Sequence, residues 1–168
     1  MSNGRTDKEK GFTKILLAID GSASSMIAAE DAIEIARNNN SQLIVLYVIE
    51  FLKYPYLLSS TILAPSFGSD KYSEEKKKAE EWMNIVKKKY AQRSDKNDKT
   101  DSEIKNLKSE IIEGKMSSAA TIVEYADSEN VSLIVIGSKG KTGFKKMLIG
   151  SVTSDVVKYA HCSVLIIR

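Results

Sequence analysis

Short apolar runs alternate with stretches of helical spacing along nearly the whole chain. Residues 14–20 (KILLAID) are apolar almost throughout and close on an acidic residue and Gly21, the pattern of a buried strand entering a loop. Residues 22–25 supply several helix N-caps, and residues 27–37 set alanines and isoleucines at helical spacing. Asn38, Asn39 and Asn40 end that helix, since asparagine tolerates the left-handed conformation at a helix C-terminus. Residues 42–49 (QLIVLYVI) form a second run, nearly continuous in apolarity, as suits a strand covered on both faces. Residues 51–72 show neither period, and their prolines, serines and aromatics predict an irregular excursion with at most a short helical turn. From Ser73 the helical period returns, with Ala79, Trp82, Met83, Val86 and Tyr90 on one face and lysines and glutamates on the other. Residues 93–102 (RSDKNDKTDS) are wholly polar and predict a flexible surface loop.

The weakest strand, 105–113 (KNLKSEIIE), alternates roughly, as an edge strand does. Gly114 turns the chain into a helix over 117–129, with Ala119, Ile122, Val123 and Ala126 inward. Residues 131–136 give a further strand, Ser151 opens a last helix with Val152, Val156 and Ala160 on one face, and residues 164–167 close the chain as a strand. Strand–helix repeated four times, plus a closing strand, predicts an open, doubly wound, five-stranded parallel α/β sheet with right-handed crossovers. In such sheets ligands bind beyond the carboxyl ends of the strands, where the strand order reverses. An order of 3-2-1-4-5 sets the ends of the first and fourth strands side by side, so that Asp20 meets the segment after Ile136. No internal repeat is present. The expected organisation is a flexible tail over 1–12 and a single domain over 13–168, with insertions at about 51–72 and 93–102.

Composition narrows the class more than the chemistry. With 168 residues, 42% apolar and 28% charged, the chain is long enough for one sizeable core and too apolar for disorder. Lys+Arg 25 against Asp+Glu 22 leaves +3, too balanced to imply a nucleic-acid binder. A lone cysteine, Cys162, excludes an internal disulfide and a multi-cysteine metal site, and reads as a small apolar residue packed before Val164. The only histidine, His161, excludes any site that needs two. Residues 1–11 lack the apolar core of a secretory signal, and Lys53, Pro55 and Pro65 break the longest semi-apolar stretch, so no membrane span is expected. The expectation is a cytoplasmic protein.

Candidate chemistry concentrates in residues 136–152 (IGSKGKTGFKKMLIGSV). Gly137, Gly140, Gly143 and Gly150 lie between a strand and a helix, where close backbone approach and unpaired N–H groups suit phosphate. Gly140-Lys141-Thr142 imitates the end of a P-loop, but that loop requires glycine where Val135 stands. No G-x-G-x-x-G follows the first strand either. What fits is G-x-x-G, nine residues, then G-S: Gly137, Gly140, Gly150 and Ser151. In this setting the pattern resembles the nucleotide-binding signature of the universal stress protein family. The likeness runs from about residue 13 to 168, through KILLAID, YVIE, IVIGSKG and GSVTSDVV.

The resemblance implies the family's Rossmann-like sheet, of the adenine nucleotide alpha hydrolase-like kind, its usual homodimer, and the subgroup that binds ATP. On the family pattern, Asp20 lies near the ribose, or near a metal on the phosphates, and the backbone of Val48 meets the adenine edge. Ile136, Gly137, Gly140 and Gly150 match positions where phosphate or ribose approaches the chain, and Ser151, Val152 and Thr153 match donors of N–H and hydroxyl groups. One of Lys139, Lys141, Lys145 and Lys146 adds positive charge in a salt-dependent way, and Lys139 is included in the site. Each has a plainer reading: Asp20 as a cap for the following helix, Val48 as a strand valine, Ser151 as an N-cap, the lysines as a solvated face. Gly143 needs only loop flexibility, and Trp82 and Met83 need only the core.

The implied cofactor is ATP or another adenine nucleotide with Mg2+ or Mn2+, acting as a conformational signal for unidentified protein partners. The apolar final strand SVLII is expected at a sheet edge, where it would pair two chains. No general base is aimed at a γ-phosphate, so efficient catalysis is not expected. A slow ATPase or self-phosphorylating enzyme, with Ser151 or Thr153 as acceptor, is one alternative. An interaction module with a purely structural glycine loop is another. Paired-histidine nucleotidyltransferases of related fold are excluded by the lone His161, and pyrophosphatase-type ATPases by GSASS after Asp20.

Overall fold

The computed structural model describes residues 11–50, 65–92, 106–114, 116–141 and 149–168, with the backbone alone over 65–69. Its elements are β1 (Lys14–Ile19), α1 (Ala23–Asn38), β2 (Gln42–Glu50), α2 (Pro65–Gln92), β3 (Leu107–Gly114), α3 (Ser118–Ser128), β4 (Leu133–Gly137), α4 (Ser151–Tyr159) and β5 (Ser163–Ile167). All four strand pairings are parallel, in the order β3-β2-β1-β4-β5 that the sequence predicts.

The continuous apolar runs follow from cover on both faces. Successive side chains of a strand point to opposite sides, so a strand buried twice has no polar positions to spare. Ile15, Leu17 and Ile19 of β1 join Leu43, Val45 and Tyr47 of β2 in a core under α1 and α2. The alternate residues Leu16, Ala18, Ile44 and Leu46 join Ile134, Ile136, Ile122, Ala126 and Val156 under α3 and α4. The central strands β1, β2 and β4 are almost wholly buried, whereas β3 and β5, at the two edges, are half-exposed. That is why β3 is the weakest in sequence.

Helices α1 and α3 start and stop for local reasons. Ser22 caps α1 by accepting from the Ser25 N–H at 3.2 Å, and Ala28, Ala29, Ala32, Ile33 and Ala36 form its buried stripe. The left-handed stop falls on Asn40, with φ of 50°, and a second one on Asn130, with φ of 54°, ends the turn after α3. Ser117 caps α3 in the same way as Ser22 caps α1.

Helix α2 corrects one expectation. It begins at Pro65, so the later part of the supposed irregular stretch 51–72 is helical. Two tertiary ties hold α2 against the sheet. The Tyr72 hydroxyl donates to Glu113 at the end of β3, and the buried Tyr47 hydroxyl of β2 donates to Glu75 at 2.6 Å. The bond to Glu113, with partial burial and the nearby charge, pushes the Tyr72 phenol up to about 12. Residues 51–64 and the polar loop 93–102 lie outside the described residues. Among the described residues, no helix is long and apolar enough to cross a membrane.

Candidate functional site at the strand-order reversal

Strands β1 and β4 are neighbours, with Ala18 opposite Ile136, so the chain leaves both at one edge and in opposite directions. Asp20 follows β1 there. Its Oδ1 accepts from the Ser22 N–H at 3.0 Å, and its Oδ2 accepts from the Lys141 N–H at 3.0 Å. The N-cap of α1 is Ser22, so Asp20 is not that helix's cap. Its carboxylate joins the turn after β1 to the glycine loop after β4.

Two glycines make this approach sterically feasible. A Cβ on Gly140 would stand 2.9 Å from Asp20 Oδ2. A Cβ on Gly137 would stand 2.7 Å from the Ser24 carbonyl carbon and 2.8 Å from the Ser25 nitrogen, because the start of α1 passes directly over the end of β4. The loop is further held by Ser138 N–H donating to the Ile167 carbonyl at 2.6 Å, Gly150 N–H to the Ser138 carbonyl at 2.7 Å and Ser22 Oγ to the Lys139 carbonyl at 3.2 Å.

The same loop delivers the start of α4. Its N-cap is Gly150, which has no side chain with which to cap, so the plain N-cap reading of Ser151 is set aside. The first N–H groups of a helix have no intrahelical acceptor, and they sit at the positive end of its dipole. Thr153 is buried, and its hydroxyl donates to the Gly137 carbonyl at 2.8 Å. That hydroxyl fixes the end of β4, leaving Ser151 as the exposed one of the two candidate hydroxyls.

These parts enclose a cavity of about 390 Å³, within the usual range for small-molecule sites. Asp20, Val48, Ile136, Gly137, Lys139, Gly140, Gly150, Ser151, Val152 and Thr153, separated in sequence by up to 133 positions, all line it. Ala18, Leu46, Val48, Ile122 and Ile136 give it an apolar part on the α3–α4 side. Gly143, Lys145 and Lys146 lie outside the described residues. His161 is exposed on the turn before β5, and burial pushes the half-buried Cys162 thiol up, away from a reactive thiolate.

Two lining residues, Tyr47 and Glu75, escape a reading of the sequence, and Lys141 is one of its four candidate lysines. Tyr47, Glu75 and Lys141 meet on the α2 side. Lys141 Nζ lies 2.7 Å from both Glu75 Oε1 and the Tyr47 hydroxyl, with the Tyr47 ring 5.3 Å away. Only contact across β2, α2 and the loop gives them a signal. At the far end Ser118 Oγ donates to Glu50, another lining pair. Burial raises the Glu75 carboxyl, but the bonds from Lys141 and Tyr47 and the charges of Lys141 and Lys78 outweigh it and hold the group below the usual carboxylate value. A folded-state pKa below the unfolded one contributes stability that is complete above the unfolded value and lost as pH falls through the folded value. Glu75→Gln is therefore expected to lower Tm in the neutral region and to flatten the acid limb of a Tm-against-pH profile below about pH 4.5, so that the two profiles converge in acid. An acid limb identical in both proteins contradicts this.

No group of three His, Cys, Asp or Glu side chains among the described residues is arranged to hold a metal ion. Both Asp20 oxygens already accept backbone N–H groups, so this donor set fits only a cation brought in and mostly ligated by a ligand's own phosphates.

Fold and site together define a doubly wound parallel α/β protein with a small-molecule cavity at its reversal point. The model of the universal stress protein family matches residues 11–168, and the chain belongs to that family. It is 34% identical to a universal stress protein of Methanocaldococcus jannaschii, over 95% of this chain and 84% of that one. It is 33% identical to the universal stress protein YxiE of Bacillus subtilis, over 94% and 99%. Among solved structures, the universal stress protein UspA from Lactobacillus plantarum superposes with a TM-score of 0.73 at 29% identity, covering 93% of this chain and 97% of that one.

Proposed function

We propose that this protein is an ATP-binding member of the family, a cytoplasmic homodimer in which an adenine nucleotide serves as a conformational signal to protein partners. The observation that carries the reading is the convergence of the spaced glycines, Asp20 and the uncapped start of α4 on one cavity. In this reading adenine lies in the apolar part beside Val48, ribose beside Asp20, and the phosphates over Gly137, Gly140 and the N–H groups of Ser151, Val152 and Thr153. Gly150 supports it separately. Among the described residues a Cβ there would meet Ser138 O at 3.5 Å, an ordinary contact, so their packing does not demand a glycine, whereas close approach of a ligand would. Universal stress proteins have been solved in complex with cAMP and, from Archaeoglobus fulgidus, with dAMP; at 20% and 18% identity they share the fold with this chain. Mg2+ or Mn2+ would enter on the phosphates and neutralise part of their charge.

Acid extraction of the purified protein is expected to release an adenine nucleotide, and Mg-ATP at about 100 Kd is expected to raise Tm by ~5–10 °C. Neither release nor shift would contradict the reading. The catalytic alternative retains one acceptor, the exposed Ser151. Incubation with ATP followed by mass spectrometry detects it as added phosphate on α4.

Homodimerisation is proposed through β5. It is a half-exposed apolar edge strand, and Val157 and Tyr159 on the adjacent α4 are 48% and 55% exposed. Light scattering is expected to give twice the chain mass, and the monomer mass at micromolar concentration rules this assembly out.

A further inference from the structure

A lysine in a glycine loop beside an uncapped helix is the cation expected to meet a phosphate chain. The backbone of Lys141 is in that position. Its N–H is fixed on Asp20 Oδ2, and the preceding Gly140 nitrogen lies 3.7 Å from where a Cβ on Gly150, the α4 N-cap, would stand. Its ammonium, however, points the other way. From β4 to β2 is two strand spacings across β1, roughly 10 Å. The loop's reach to Asp20 covers the first spacing, and the lysine stem covers the second to arrive at Tyr47 on β2 and Glu75 on α2.

We propose that Glu75 is a specificity-determining residue that parks the Lys141 ammonium on α2 and so disfavours ligands with long phosphate chains relative to those with few phosphates. The inference rests on the nucleotide reading of the cavity. Tyr47 is fully buried and supplies a fixed anchor, donating to the same Glu75 oxygen that Lys141 reaches. The Glu75 and Lys141 side chains are 24% and 46% exposed, so the clasp opens by rotamer change without disturbing the core. The flexible four-carbon stem of lysine allows its head to swing from α2 toward α4 while the backbone bond to Asp20 stays made. A nucleoside leaves the clasp closed. A polyphosphate draws Lys141 away and leaves the Glu75 carboxylate, which lines the same cavity, without its Lys141 partner beside an anion. Glu75 thus opposes the polyphosphate both by holding its cation and by its own charge.

The test compares wild type, Glu75→Gln, Lys141→Met and the double variant, titrated with adenosine, AMP, ATP and inorganic tripolyphosphate. Calorimetry and the fluorescence of Trp82, the only tryptophan, provide the readouts. Glutamine preserves the volume and an acceptor for Tyr47, and thermal unfolding of each variant checks that it folds. Glu75→Gln is expected to tighten ATP and tripolyphosphate about three- to five-fold, the scale of a partly exposed ion pair, and to leave adenosine unchanged. The gain is expected to vanish in the Lys141→Met background. Equal shifts for adenosine and ATP, or a gain that survives without Lys141, overturn the proposal. If adenosine, AMP and ATP all fail to bind every protein, the nucleotide reading falls instead. The tripolyphosphate arm, which needs no base pocket, then decides the clasp alone: a Lys141-dependent gain upholds it and no gain overturns it.

Discussion

Replacing Gly21 with alanine is expected to cost the fold about 2–4 kcal/mol and to lower Tm by ~5–15 °C. Gly21 has φ of +81°, a left-handed backbone that side chains resist. A Cβ there would also stand 2.2 Å from Trp82 Nε1 and 2.6 Å from Trp82 Cε2. The indole is a rigid ring packed against the α1–α2 core, so it must move as a body. Both penalties fall beside Asp20, the hinge between the β1 turn and the glycine loop. Thermal unfolding measures the sum, and Trp82→Leu in the same background separates the parts: it is expected to recover the overlap and not the backbone strain. A Gly21→Ala protein melting within a degree of wild type contradicts this account of the turn.

The second large effect is on binding. Gly140→Asp is expected to weaken any adenine nucleotide about 100-fold or more while the protein stays folded. Among the described residues the new Cβ meets a single atom, Asp20 Oδ2 at 2.9 Å, which belongs to a side chain able to give way. Gly140 does not carry a positive φ, so backbone strain adds nothing. The substituted carboxylate, however, stands against Asp20 and inside the cavity where the phosphates are proposed to lie. An interaction module with a structural glycine loop predicts the reverse, with partner binding intact in a folded Gly140→Asp protein. Circular dichroism and calorimetry on the one variant distinguish the two.

The sequence carried the strands and their order well because β1, β2 and β4 are buried on both faces, and continuous apolar runs record this directly. Alternation with helices then leaves few topologies, and the meeting of Asp20 with the segment after Ile136 follows from the order alone. What stayed hidden depends on contacts between distant elements. Helix α2 begins at Pro65 although residues 65–72 show no helical period, and its ties from Tyr72 to β3 and from Glu75 to β2 are invisible in the local pattern. The destination of Lys141 is hidden for the same reason, since charge composition does not say which carboxylate a lysine reaches. The plainer reading of Ser151 as an N-cap fails because the preceding Gly150 takes that position and Ser151 opens the helix. Thr153 reads as a ligand hydroxyl until the Gly137 carbonyl is found within reach.

The proposal that this cavity takes an adenine nucleotide is tested most directly by calorimetric titration of Mg-ATP into protein stripped of bound nucleotide. A saturable isotherm with one nucleotide per chain, abolished by Gly140→Asp in a folded protein, is the predicted result. No binding of ATP, ADP or AMP to the stripped wild-type protein at up to ~1 mM contradicts it.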